Sequence, residues 1–117
     1  MKNKSRFAFV KDKEKHILCE QIVLSCMLRF PKRCLDLISK ELNADDFIHI
    51  PNKIIYETIQ QLHKQNTPID YFTVYIADTL HRISLDYILG LGSFMPTPEY
   101  WETYVNILKG KREINGL

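Results

Sequence analysis

Apolar residues recur every three or four positions along most of the chain, which is the spacing of one face of a helix. The first such pattern covers about residues 13–30 and is apolar around most of its circumference. A helix of that kind lies at the centre of a bundle. Pro31 ends it, because proline cannot continue a helix interior. A narrow polar stripe of Gln21, Ser25 and Arg29 runs along this helix.

Five shorter helices are predicted after the first one, at about residues 32–41, 51–65, 71–80, 85–91 and 98–113. Asp70 and Ser84 are suitable N-cap residues, and Pro51 and Pro98 fit the first turn of a helix. No segment alternates apolar and polar residues as a strand does. The expected fold is therefore all-α, a compact bundle of about six short helices. The residues expected to be buried include Cys19, Ile22, Cys26, Ile55, Ile59 and Trp101.

The composition fits one intracellular domain. A chain of 117 residues with 45% hydrophobic residues can bury a core without a metal or a disulfide. No apolar run approaches the ~20 residues that cross a bilayer, and no signal-peptide pattern follows the N-terminus. The three cysteines, an odd number, favour reduced and buried thiols over a disulfide framework. These features predict a cytoplasmic protein.

Charge divides the chain into two parts. Residues 1–16 hold six basic and two acidic residues, a net charge of +4, whereas the remainder holds ten basic and twelve acidic residues, a net charge of −2. We expect a basic N-terminal arm over residues 1–16 and a helical domain over 17–117. Phe7, Phe9 and Val10 suit an extended arm that packs on this domain or on a neighbour. Such an arm either is solvated or contacts phosphates.

Catalytic and metal-binding signatures are lacking in the sequence. The phosphate-binding pattern GxxxxGK[ST] does not occur, so neither ATP binding nor hydrolysis is expected. His16 and Cys19 are three residues apart, but no CxxC pair accompanies them. The other histidines are scattered over loops and helix ends, away from any candidate nucleophile. We therefore predict no catalytic residue, no cofactor and no metal.

The order of several short motifs resembles the N-terminal domain of DnaB-type replicative DNA helicases. That family has a Glu-Gln pair before an apolar helix, an Asp-Phe pair, a Pro-Ile-Asp turn and a late tyrosine-containing helix that ends near an arginine. The corresponding residues here are Glu20, Gln21, Asp46, Phe47, Pro68, Ile69, Asp70, Tyr104 and Arg112. These motifs have structural and not catalytic roles, since Phe47 would fill space in the core of the bundle and Asp70 would cap a helix.

The resemblance implies a collar domain that helps helicase protomers assemble and docks primase or a helicase loader. DNA would be contacted only through the full helicase. The chain ends near where the helical hairpin of the family would begin, so we expect it to lack that hairpin and the ATP-driven motor. Ser25-Cys26 replaces a family glycine, and residues 82–96 have no Gly-Gly turn. These departures suggest a divergent member from bacterial, phage or mobile-element replication machinery.

Three other interpretations remain open at this point. They are the helicase-binding domain of primase, a free-standing adaptor or inhibitor that mimics the helicase collar, and a small DNA-binding protein that uses the basic arm. Without the hairpin that the helicase family uses as a principal contact, the surface expected for association is small, which predicts a monomer or a weak dimer in isolation. The residues expected to contact partners are Phe7, Phe9, Phe94, Met95 and Tyr100.

Overall fold

The structure, a computed structural model, describes the backbone of residues 2–94 and 101–116 and the side chains of residues 13–94 and 101–110. Its six α-helices are α1 (Lys2–Arg29), α2 (Pro31–Glu41), α3 (Ile50–Lys64), α4 (Tyr71–Ala77), α5 (Leu85–Gly90) and α6 (Trp101–Gly116). Two 3-10 turns, Ala44–Asp46 and Leu91–Ser93, lie between α2 and α3 and directly after α5. No strand occurs in the described backbone, and the predicted all-α fold is confirmed.

Helix α1 is longer than predicted. It begins at Lys2 instead of near Lys13, so the extended conformation expected around Phe7, Phe9 and Val10 is wrong for the backbone. Residues 2–29 contain neither proline nor glycine, the two residues that most disfavour a helix, and nothing local interrupts the turn-by-turn hydrogen bonds. The C-terminal end of α1 agrees with the prediction, because Pro31 starts α2 immediately after it.

The core surrounds α1, which packs against α2, α3, α6 and the Leu91–Ser93 turn. The central residues of α1 are fully buried, namely Val23, Leu24, Cys26 and Met27. Of the residues predicted to be buried, Cys19, Cys26, Ile55 and Ile59 are buried. Ile22 and Trp101 are only half-buried, because Val23 takes the inward position on α1 and Trp101 lies at the edge of the core.

Helix α4 ends three residues earlier than predicted. The Asp78 carboxylate is buried and accepts hydrogen bonds from Arg82 Nε at 2.8 Å and from the backbone N–H of Ile83 at 3.0 Å. These bonds turn the chain, and His81 adopts a φ of 52° within the turn. Helix α5 then begins after Ser84, whose hydroxyl accepts from the backbone N–H of Tyr87 as an N-cap. The predicted start of the last helix at Thr97-Pro98-Glu99 lies outside the described residues.

Candidate protein-interaction site

Glu20 is the centre of a buried polar network. Its side chain comes from the middle of α1, has no solvent exposure and lies at the N-terminal end of α3. The carboxylate accepts hydrogen bonds from the backbone N–H groups of Ile48 at 2.7 Å and His49 at 3.3 Å, and from Asn52 Nδ2 at 2.9 Å. His49, the N-cap of α3, provides no side-chain cap of its own. Glu20 therefore supplies the negative charge that favours a helix N-terminus.

The network continues from α3 to α5 and returns to α1. Tyr87 of α5 donates its hydroxyl proton to Asn52 Oδ1 at 2.6 Å, and Gln21 Nε2 donates to the same hydroxyl at 3.1 Å. Burial raises the pKa of Tyr87, although the hydrogen bond from Gln21 lowers it in part. The hydroxyl therefore remains protonated at neutral pH. Glu20 and Gln21 together therefore connect α1 to α3 and α5. This connection gives the adjacent Glu-Gln pair of the sequence a structural role.

The polar stripe of α1 faces another element of the protein. Besides Gln21, Ser25 Oγ donates to the carbonyl oxygen of Phe94 at 3.2 Å, and Arg29 donates to that of Gly92 at 3.3 Å. Ser25 is fully buried. The stripe therefore fixes α5 and the following 3-10 turn against α1. The sequence shows the stripe but not the element that it contacts.

The candidate metal and nucleophile residues of α1 are structural. His16 Nδ1 lies 2.9 Å from Glu20 Oε2, and burial raises the pKa of Cys19. Burial, the nearby Cys34 and a hydrogen bond with it raise the pKa of Cys26 to about 12. Thiols of this kind remain protonated, whereas metal ligands and nucleophiles are thiolates. No cluster of three His, Cys, Asp or Glu residues suited to a metal occurs within the described residues.

The Asp-Phe pair orders the connection between α2 and α3. Asp46 is buried and its carboxylate accepts from the backbone N–H of Asn43 at 2.8 Å. The Phe47 ring stacks on Tyr56 with 4.6 Å between the ring centroids. Tyr56 in turn donates to the carbonyl oxygen of Leu42 at 2.8 Å, and burial raises its pKa to about 12.

The Pro-Ile-Asp turn leads into α4. Pro68 is exposed and Ile69 is buried. Asp70 is the N-cap of α4, and its carboxylate accepts from the backbone N–H groups of Phe72 and Thr73 at 2.9 and 2.8 Å. The Thr73 hydroxyl accepts from the backbone N–H of Asp70, which completes a reciprocal cap.

Most of the residues expected to contact partners lie outside the described side chains. This applies to Phe7, Phe9, Met95 and Tyr100, and also to Arg112 of the family motifs. Phe94 and Tyr104 are described; both are half-buried and pack against the core. The roles assigned to these residues stay predictions.

The sequence interpretation missed an exposed apolar row on and beside α4. Phe72, Ile76 and Leu80, called the α4 row below, are 56%, 70% and 74% exposed. Val74, on the opposite side of the helix, is 1% exposed and anchors α4 to the core. The spacing of the row, every fourth residue, was a usable signal, but helical periodicity alone does not tell which apolar face is buried. No described helix is long and apolar enough to span a membrane.

The chain is similar to known helicase domains in both sequence and fold. A family model described as the DnaB-like helicase N terminal domain matches residues 12–110. Among solved structures, the N-terminal domain of DnaB helicase from Mycobacterium tuberculosis is similar, with a TM-score of 0.75 and 28% sequence identity. That match covers 82% of this chain and 71% of the mycobacterial one. Among curated protein sequences, none matches the chain.

Proposed function

The chain belongs to the family of DnaB-like helicase N-terminal domains, and from this premise we propose that it docks primase or a helicase loader and contacts neighbouring helicase protomers. The observation that carries the proposal is the family match over residues 12–110. It favours the helicase over the helicase-binding domain of primase, since the matching family is that of the helicase.

The chemistry of the described residues supports a non-catalytic role. The buried polar groups around Glu20 are engaged in joining helices, and the thiols of Cys19 and Cys26 remain protonated. Exposed apolar side chains, in contrast, are available on α4. Such surfaces are typical of proteins that act by contact with other proteins.

Binding to primase and to the loader from the same genome tests the proposal. We expect the isolated domain to bind one of them weakly. Display of several copies on a ring-forming scaffold should strengthen the binding through avidity, by about a hundredfold or more. An unrelated helical domain displayed on the same scaffold provides the control for non-specific binding.

Two results would overturn the proposal. One is the absence of binding to both proteins in the multivalent format. The other is retention on DNA that weakens steeply with salt, which would favour the alternative of a DNA-binding protein with a basic arm.

A further inference from the structure

Cys26 and Cys34 form a pair of buried thiols between α1 and α2. Both residues have no solvent exposure, and both are free thiols. A hydrogen bond joins the two side chains. Two thiols in contact can be joined covalently if an oxidant is present, which a single buried thiol cannot do.

A bend at Phe30 brings the two thiols together. Cys26 and Cys34 are eight positions apart in the sequence, which in a continuous helix would separate them by about 12 Å along the axis. Phe30 has φ −131° and ψ 58°, values outside the helical region, and α2 packs against α1. The N–H of Phe30 donates to the carbonyl oxygen of Cys26 at 2.9 Å, and its carbonyl oxygen accepts from the N–H of Cys34 at 2.9 Å. The backbone at both cysteines is therefore fixed to the same residue.

This arrangement suits a disulfide better than the neighbouring cysteine of α1 does. A disulfide usually requires Cα atoms within about 7 Å of each other. Cys19 and Cys26 are seven positions apart on the same helix, so their Cα atoms are separated by about 10 Å. The hydrogen-bonded side chains of Cys26 and Cys34, in contrast, have only to approach until the sulfurs reach the bonded distance of about 2 Å.

We propose that Cys26 and Cys34 are a modification site, at which a small-molecule disulfide such as glutathione disulfide oxidises the two thiols to a bridge between α1 and α2. This inference goes beyond the docking role and does not depend on it. One cysteine sulfur attacks glutathione disulfide, which forms a mixed disulfide and releases one glutathione. The second cysteine sulfur then attacks the first and releases the other glutathione. Two protein thiols are oxidised, one glutathione disulfide is reduced, and the two thiol protons leave with the two glutathione molecules.

The closed core protects the thiols from this reaction. Burial raises the pKa of Cys26 to about 12, and the attacking species is the thiolate. Because neither side chain is exposed, glutathione disulfide reaches them only when α2 opens locally from α1. The bridge, once formed, keeps α2 on α1 and closes a loop between residues 26 and 34. Such a loop constrains the unfolded chain, so the oxidised protein should resist urea better than the reduced one.

Peptide mapping of the full chain detects the bridge directly. The protein is held in glutathione buffers of increasing oxidised fraction without denaturant until equilibrium, and the remaining thiols are then alkylated. Trypsin cuts the chain between the two cysteines, because Arg29, Lys32 and Arg33 lie there. Residues 16–29 and 34–40 should stay together in the oxidised sample and separate after reduction. Fragmentation of the linked peptides identifies which cysteine of residues 16–29 is bridged.

Three single substitutions assign the bridge to its cysteines. Cys26→Ala and Cys34→Ala should each lose the linked peptides and the upward shift of the urea midpoint on oxidation. Cys19→Ala is the matched control, since it removes another buried cysteine of α1 and should retain both. Far-UV spectra check that each variant folds, and the peptide map of the unchanged chain requires no variant.

Three results would overturn the proposal. They are an unchanged chain that gives no linked peptides in the most oxidising buffer, linked peptides joined through Cys19, and an oxidised protein that unfolds at lower urea than the reduced one. Binding of primase or loader is measured separately, so none of these results would contradict the docking role.

Discussion

Glu20 shows at the scale of a single residue how a buried charge is stabilised. A carboxylate without solvent exposure is costly unless hydrogen bonds replace its hydration. Here two backbone N–H groups, Asn52 and His16 surround it. Glu20 and Gln21 could be identified from the sequence as a motif. The amides that Glu20 binds lie 28 and 29 residues further along the chain, so a linear sequence cannot show them as partners.

Glu20→Gln should destabilise the fold by about 2–4 kcal/mol, because the amide cannot accept the same set of hydrogen bonds and turns a donor toward other donors. The free energy of unfolding in urea measures this loss. Glu14→Gln is the control, since Glu14 is exposed on the same helix. Equal stability of the two variants would show that the network contributes little.

Asp78 makes stability depend on pH. Burial raises the pKa of its carboxyl group, but hydrogen bonds from Arg82 and the Ile83 amide outweigh burial and leave the pKa below its ordinary value of 3.8. A lowered pKa stabilises the folded state above the ordinary pKa, and that stabilisation is lost as pH falls through the lowered value.

Asp78→Asn should therefore be less stable than the unchanged chain at neutral pH, by about 1–3 kcal/mol. The difference should shrink as the pH falls below about 4, where the carboxyl group of the unfolded chain takes up a proton first, and should continue to shrink until the pH has passed the lowered pKa of the folded state. Urea unfolding at several pH values measures the difference. Glu57→Gln, at an exposed position on α3, is the control for the removal of one carboxyl group. A constant difference for Asp78→Asn would contradict the assigned cause.

Close packing between elements is illustrated by α4 and the Leu91–Ser93 turn. The Tyr71 hydroxyl is buried without a hydrogen-bond partner among the described residues. A Cβ atom added to Gly92 would lie 3.1 Å from that hydroxyl oxygen and 3.4 Å from the ring carbon that bears it. Gly92 is needed here for space, since its backbone does not adopt a positive φ.

Gly92→Ala should destabilise the protein by about 1–3 kcal/mol, as overpacking generally does. Tyr71→Phe removes the crowded oxygen and an unsatisfied buried hydroxyl, so by itself it should cost little or stabilise. In the Tyr71→Phe background the effect of Gly92→Ala should be smaller. A double-mutant cycle from chemical unfolding measures the coupling. Strict additivity of the two changes would rule out the contact as the cause.

The sequence predicted a helix end correctly when the residues that determine it lie within about one turn of it. Pro31 and the Asp70 cap act within one turn, and both positions agree with the structure. The end of α4 was misplaced, because the buried Asp78 carboxylate binds the backbone at Ile83 across the turn. The start of α1 was misplaced too, because a basic composition suggested a frayed arm while helix propensity favoured continuation. Only the three-dimensional packing distinguishes the exposed face of α4, which carries the α4 row, from its buried face.

At the scale of the molecule, the exposed apolar side chains of residues 13–94 and 101–110 form a limited surface for self-association. We expect a monomer or a weak dimer at micromolar concentration, and no hexamer, since the exposed apolar side chains of α4 fall short of a standard interface. Sedimentation velocity measures this directly. A stable hexamer would place the assembly determinants elsewhere on the chain.

The position of Glu20 also has a dynamic consequence for the connection before α3. Ile48 and His49 lie outside regular secondary structure, and amides in such segments usually exchange with solvent deuterium through small local fluctuations. Their N–H groups are instead held by the carboxylate of Glu20, which has no solvent exposure. Release of these protons requires α1 and α3 to separate. We therefore expect both amides to exchange as slowly as the central amides of α1, and to become fast in Glu20→Gln when followed by NMR. By this measure the segment would behave kinetically as part of the core, although its backbone conformation is that of a loop.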